Sequence, residues 1–109
     1  MKWIYLIIAI ITEVIATSAL KESQGFSKLI PSIVVITGYS LTFYFMSLTL
    51  KEMSVGITYA IWSGMGILLI SLIGYFRYNQ VLDSAAILGM SFIATGIIIL
   101  RFFSKSLDL

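Results

Sequence analysis

The chain has 109 residues, of which 60% are hydrophobic and 11% are charged, and its net charge is +2. Its mean hydropathy of +1.06 excludes a soluble domain, because a domain this small buries only about 60–70% of the surface that its unfolded chain exposes. The small charge excludes a nucleic-acid partner, and the absence of Cys and His excludes disulfides, thiolate or imidazole metal sites and His-dependent catalysis. These numbers predict an all-α membrane protein, because four helices of roughly 20 residues fill a chain of this length.

Continuous apolar runs separated by polar connections predict four membrane helices in one domain, 1–109. The helices are predicted at approximately 3–20, 29–50, 55–76 and 84–103. The runs are too long, and alternate too little, for the strands of a membrane barrel. A cleaved signal peptide is the alternative for the first run, but Glu13 would interrupt its apolar region.

Glu13 is the one carboxylate well inside a predicted helix. It lies about 15 Å from the start of the first helix, which is close to the middle of a hydrocarbon core about 30 Å thick. A charge at that depth is costly, so the position indicates a transport or proton path. The alternative is a protonated Glu that makes one hydrogen bond between helices. Ala9 and Ala16, one turn away on either side, either leave room for a ligand or allow close helix packing.

The third helix carries two large aromatic residues, Tyr59 and Trp62, on one face. One interpretation is an interfacial belt, and the other is a lining that stacks on a cation or an aromatic ligand. Tyr39 in the second helix could extend such a lining. Gly64 and Gly66 are predicted to let the third helix bend or flex.

Small residues form a stripe along the fourth helix. Its members follow at spacings of four, four and three: Ala85, Gly89, Ile93 and Gly96. Such a stripe is typical of close helix packing, either inside one chain or between two copies, and we favour the dimer contact.

Basic residues are almost evenly divided between the two sides of the predicted membrane segment. Four lie on the side of the termini and three on the other: Lys2, Lys51, Arg101 and Lys105 against Lys21, Lys28 and Arg77. So small an excess hardly sets an orientation. It favours a chain that inserts both ways and pairs antiparallel with itself, although a single orientation is the alternative.

At this point the chain resembles the small multidrug resistance transporters along essentially its whole length. The resemblance rests on the segment 13–17 (EVIAT), on 20–21, 25–27 and 31–32 around the first connection, and above all on 59–66 (YAIWSGMG). Gly89 and Gly96 match the glycines of the family's dimerisation motif.

The resemblance implies a proton-coupled antiporter for lipophilic and quaternary ammonium cations, working as an antiparallel homodimer in the bacterial cytoplasmic membrane without a cofactor. Glu13 is then a shared site that binds either protons or cation. The implied substrate-binding residues are Trp62, Tyr39, Tyr59, Ser63, Thr17 and Trp3. Trp3 stands where the family usually has Tyr, so this chain lacks the phenol hydroxyl at that position.

Three other functions remain as alternatives. Guanidinium exporters of the same family typically carry Trp where this chain has Ala16, so the quaternary-ammonium branch is favoured. A proton-translocating rotor or channel subunit would also hold one carboxylate, but such subunits are typically two-helix hairpins rich in Gly and Ala. A non-transporting partner in a two-protein exporter would show a stronger bias in its basic residues. An enzyme is not expected, because no nucleophile–base pair is present.

Overall fold

A computed structural model describes residues 1–108, and these residues form four helices joined by short connections. In chain order they are α1 (Lys2–Glu22), α2 (Leu29–Thr49), α3 (Val55–Arg77) and α4 (Ser84–Phe103). Each helix is long and apolar enough to cross a membrane. The prediction of an all-α protein with four membrane helices is therefore confirmed.

The observed helix ends differ from the predicted ones by at most two residues. α1 continues through Lys21, because a basic residue in the last turn interacts favourably with the partial negative charge of the helix terminus. Pro31 is the third residue of α2, where its missing N–H removes no intrahelical hydrogen bond. Asp83 accepts a hydrogen bond of 2.8 Å from the backbone N–H of Ala86 and so caps the first turn of α4.

Two compact units divide the chain. The first, Met1–Glu52, contains α1 and α2, and the second begins at Met53 and contains α3 and α4. The sequence predicts one domain over 1–109, and that domain count stays a prediction.

Small residues bring α1 and α2 together in the first unit. A Cβ built on Gly38 would lie 2.7 Å from the Cβ of Ala16 and 3.3 Å from the carbonyl oxygen of Thr12. Ala16 therefore serves close packing of the two helices, one of the two roles that the sequence allows for it. Beside this contact the Thr12 and Thr42 hydroxyls are hydrogen-bonded to each other at 2.8 Å, which satisfies polar groups in an apolar contact.

Gly64 has the corresponding role in the second unit. A Cβ added there would lie 2.8 Å from Cδ1 of Ile97 and 3.3 Å from Cγ2 of Ile93, both on α4. No residue of α4 is fully buried, and Ile93 and Ile97 are half-buried. Most of its exposed side chains are apolar, a pattern that suits a lipid environment or a protein partner rather than water.

The chain after α4 turns back onto the segment that precedes α3. The backbone N–H of Ser54 donates to the Leu107 carbonyl at 2.8 Å, and its hydroxyl donates to the Ser106 carbonyl at 2.8 Å. Met53, the residue before Ser54, is fully buried and pairs with Asp108 in a single antiparallel bridge. The residues after α4 therefore form part of the second unit.

Candidate functional site

Glu13 is the twelfth residue of α1 and lies in the middle of that helix, away from both ends. One carboxylate oxygen, Oε1, accepts a hydrogen bond of 2.8 Å from the Thr17 hydroxyl, one turn further along the same helix. The other oxygen, Oε2, is buried and has no hydrogen-bond partner among residues 1–108. The carboxylate therefore has one oxygen held by the protein and one oxygen available to a proton or to a ligand.

Tyr39 on α2 completes this cluster. Its hydroxyl lies 2.6 Å from the Thr17 hydroxyl, across the contact between α1 and α2. The Tyr39 ring is half-buried and stacks on Phe43, with ring centres 6.3 Å apart. Three of the predicted site residues, Glu13, Thr17 and Tyr39, are thus joined by hydrogen bonds.

The charges around this cluster are sparse. The other charged residues of α1 stand at its ends, Lys2 at the start and Lys21 with Glu22 at the finish, and α2 contains no charged residue. An ionised Glu13 therefore has no opposite charge on these two helices near the middle of α1.

Trp3 is half-buried near the start of α1. It lies ten residues before Glu13, which places the two side chains about 15 Å apart along the helix. The structure does not bring Trp3 and Glu13 of one chain together, and its part in substrate binding stays a prediction.

The aromatic residues of the second unit form a separate group on α3. Tyr59 and Trp62 are in contact edge to face, with ring centres 5.3 Å apart. Tyr59 is 59% exposed, whereas the indole N–H of Trp62 is buried and finds no acceptor in the described chain. The Ser63 hydroxyl donates to the Tyr59 carbonyl at 2.7 Å, so in this structure it is used inside the helix. Tyr59 and Trp62 together present an aromatic surface that suits stacking on a flat or cationic molecule.

The glycines assigned from the sequence to flexing and to dimer contact have distinct surroundings. α3 runs unbroken through Gly64 and Gly66, and both are buried. On α4, nothing in the described residues lies within 4 Å of the position that a Cβ would take on Gly89 or Gly96. Ile93, predicted to share the dimer contact, lies near Gly64 of α3 within the same chain. The flexing and dimer roles of these residues stay predictions.

Two features of the site region were not anticipated from the sequence. One is the link from Tyr39 through Thr17 to Glu13, because the sequence predicts that Tyr39 and Thr17 contact the substrate and does not predict that they contact each other. The other is the return of the residues after α4 to Ser54. The spacing of four places Thr17 on the same helix face as Glu13. The contact of Thr17 with Tyr39 and the return to Ser54 have no sequence signal, since the partners lie 22 residues apart in the first case and 52 or more in the second.

Comparisons with known proteins match most of the chain. The family model described as Small Multidrug Resistance protein matches residues 1–93, a range that includes all the predicted site residues except Gly96. The chain is 51% identical over 104 residues to the quaternary ammonium compound-resistance protein QacE of Escherichia coli, with 95% of this chain and 94% of the relative covered. It is 45% identical over 104 residues to the multidrug transporter EmrE of Escherichia coli strain K12, with the same coverage. A third relative, the multidrug transporter PA4990 of Pseudomonas aeruginosa, is 46% identical over 105 residues, with 96% of each chain covered.

Proposed function

We propose that the chain, which belongs to the small multidrug resistance family, exports lipophilic and quaternary ammonium cations in exchange for protons. The observation that carries the proposal is Glu13, a carboxylate in the middle of a membrane helix with one buried oxygen that has no partner in the described chain. The chain is an integral multi-pass membrane protein. Its relatives are named for multidrug transport and for resistance to quaternary ammonium compounds.

Exclusive binding at Glu13 couples the two flows. An ionised carboxylate in the hydrocarbon core costs at least about 2.5–3.5 kcal/mol on insertion scales, and either a proton or an organic cation relieves that cost. The two ligands compete for the same oxygens, so binding of one lowers the affinity for the other, and the effect is reciprocal. If the site opens to one side of the membrane at a time and crosses only when it is occupied, inward proton flow drives the cation outward.

Aromatic surfaces set the substrate class. Tyr59 and Trp62 on α3 and Tyr39 on α2 offer ring faces to a cation, and a cation–π contact is worth about 2 kcal/mol when it is shielded from water. Ring faces and one negative charge select flat, greasy cations without requiring a fixed pattern of hydrogen bonds. Ser63 and Thr17 supply hydroxyl groups, and Trp3 extends the apolar lining.

An antiparallel homodimer supplies a site that can open to both sides. Two copies in opposite orientations acquire a twofold axis in the membrane plane, which is the symmetry that inverted-repeat transporters use for alternating access. The near balance of basic residues, four against three, supports insertion in both orientations. We assign the dimer contact to the face of α4 that carries Gly89 and Gly96, and we place the dimer in the bacterial cytoplasmic membrane, where a proton gradient is the energy source and no cofactor is needed.

Glu13→Gln tests this function directly. The amide keeps the shape of the side chain but cannot release a proton, so we expect the variant to lose export of ethidium driven by a pH gradient in proteoliposomes. Glu22→Gln is the matched control, because it changes the other acid of α1 at the end of the helix, and we expect it to retain export. Export by Glu13→Gln at the rate of the unaltered chain, driven by the same gradient, would refute the proposed coupling.

A further inference from the structure

Thr17 differs from the other hydroxyl residues of these helices in what it binds. The hydroxyls of Ser18, Ser40 and Ser63 each donate to the backbone carbonyl four residues earlier, as Ser and Thr commonly do inside helices. The Thr17 hydroxyl has the same option at the Glu13 carbonyl. It donates instead to the Glu13 carboxylate at 2.8 Å.

Counting donors fixes the direction of the link to Tyr39. A threonine hydroxyl has one hydrogen and two acceptor lone pairs. An ionised Glu13 carboxylate can only accept, so in that state Thr17 gives it the hydrogen, and the 2.6 Å contact with Tyr39 then requires the phenol to donate to Thr17. The hydrogen bonds therefore run one way, from Tyr39 to Thr17 to Oε1 of Glu13, and a donor that itself accepts a hydrogen bond is strengthened.

We propose that Thr17 is a positioning residue, held by Tyr39, that stabilises the ionised form of Glu13 and directs the exchanging proton and cation to Oε2. The inference rests on the proposed function, since it concerns how the same carboxylate chooses between proton and cation. A hydrogen bond to the charged form of a carboxylate favours that form. Oε2, buried and unpartnered within residues 1–108, is then the oxygen left for the exchange.

The helices carry few other charged groups that could act on the Glu13 carboxylate. α2 is the helix packed on α1 in the first unit, and it contributes Tyr39 as its titratable group at this level and no charged residue. On α1 itself, Lys2, Lys21 and Glu22 stand at the helix ends. α3 and α4 carry their charges only at Arg77 and Arg101, in their last turns.

The test is the pH dependence of tetraphenylphosphonium binding to the full-length purified chain. Thr17→Val keeps the shape of the side chain and removes the donor, so we expect the pH of half-maximal binding to rise by about one unit, the size expected for a hydrogen bond to a charged group. Binding at a pH well above that midpoint is measured in parallel, because a fall there reports the loss of a direct Thr17 contact with the cation, whereas a moved midpoint reports the positioning role. Thr17→Ser restores the hydroxyl and should restore the midpoint.

Tyr39→Phe separates positioning from substrate stacking, because it keeps the ring and removes only the phenol. We expect a smaller rise of the midpoint than in Thr17→Val, and no further rise when the two substitutions are combined, since both act through one hydrogen-bond chain. Additive shifts would overturn the role of Tyr39 as a support for Thr17. An unchanged midpoint in Tyr39→Phe, with reduced binding at high pH, would return Tyr39 to direct substrate contact alone.

Thr42→Val is the matched control. Its hydroxyl also bonds across α1 and α2, to Thr12 at 2.8 Å, but not to the carboxylate. A loss of binding that comes from loosened packing between α1 and α2 should appear in Thr42→Val as well, whereas its pH of half-maximal binding should stay the same. If Thr17→Val does not fold, the infrared band of the protonated Glu13 carboxyl is followed against pH in Tyr39→Phe, with Thr17→Ser as the reference. This measurement reports the same midpoint as cation binding does, and we expect it to rise in Tyr39→Phe only.

Failure of this inference and failure of the proposed function give different results. If Thr17→Val and Tyr39→Phe titrate like the unaltered protein, the positioning role is wrong while proton–cation competition stands. If the unaltered protein binds tetraphenylphosphonium equally at all pH values, or Glu13→Gln keeps the pH dependence, the proposed function is wrong and this inference falls with it.

Discussion

Replacing Gly38 by alanine tests how closely α1 and α2 approach each other. The new methyl group would lie 2.7 Å from the Ala16 Cβ, whereas carbon atoms in favourable contact are about 3.5–4.0 Å apart. The two helices must therefore separate by about 0.8 Å or more at this point. Overpacking of this kind costs about 1–3 kcal/mol, and the better helix propensity of alanine returns up to about 1 kcal/mol. We expect a net loss of about 1–2 kcal/mol in the free energy of unfolding.

The same separation reaches the candidate site. Tyr39 is the next residue after Gly38, and its hydroxyl bond to Thr17 would lengthen from 2.6 Å to about 3.4 Å, beyond the usual range for two hydroxyl groups. Gly38→Ala should therefore raise the pH of half-maximal tetraphenylphosphonium binding, in the same direction as Thr17→Val.

Unfolding of the purified chain in dodecylmaltoside micelles, driven by added sodium dodecyl sulfate and followed by tryptophan fluorescence, measures the stability. Gly56→Ala is the matched control, because nothing in the described residues lies within 4 Å of its added methyl group, and we expect its stability to be unchanged or slightly higher. If Gly38→Ala is as stable as Gly56→Ala, the close approach of α1 and α2 is not a feature of the folded protein and the reasoning is wrong.

Three further variants test the aromatic surface, the dimer and the orientation. Trp62→Ala should weaken tetraphenylphosphonium binding by about 10-fold or more, because a shielded cation–π contact is lost, without moving the pH midpoint set by Glu13; equal affinity by equilibrium dialysis would return Trp62 to an interfacial or packing role. Gly96→Leu should reduce cross-linking of two copies in membranes while leaving each chain folded, because the glycine has open space around it in the described chain; undiminished cross-linking would place the dimer contact elsewhere. Removing Lys51 and Lys105 leaves the termini with fewer basic residues than the opposite side, so most copies should place their termini outside the cytoplasm. A terminal reporter on the unaltered chain should read on both sides of the membrane, and a reading on one side only would argue against insertion in both orientations.

Much of the fold follows from the sequence because membrane helices are a local property. Four long apolar runs, of which the first carries Glu13, must form helices in lipid, where every backbone N–H and C=O needs a partner within the same segment. The depth of Glu13 follows from the rise per residue alone. The observed helices therefore match the predicted ones to within two residues at each end.

The packing partners of the small residues are harder to predict from the sequence. Ala16 was open to two interpretations, and its contact with Gly38 depends on which face of α2 meets α1. Gly64 was predicted to let α3 flex, whereas the structure also places it against Ile93 and Ile97 of α4. Helical periodicity identifies a face but does not say which neighbour covers it.

The sequence by itself determined that the chain spans a membrane and that one carboxylate lies in the middle of its first apolar helix, because hydropathy and helical rise are read residue by residue. Only the tertiary structure decided that Thr17 turns its hydroxyl to that carboxylate and that the Tyr39 hydroxyl of α2 lies 2.6 Å from the Thr17 hydroxyl. The physical reason is that a threonine hydroxyl in a helix can always bond its own backbone. Which bond it makes depends on the donors and acceptors that a packed neighbour brings within about 3 Å.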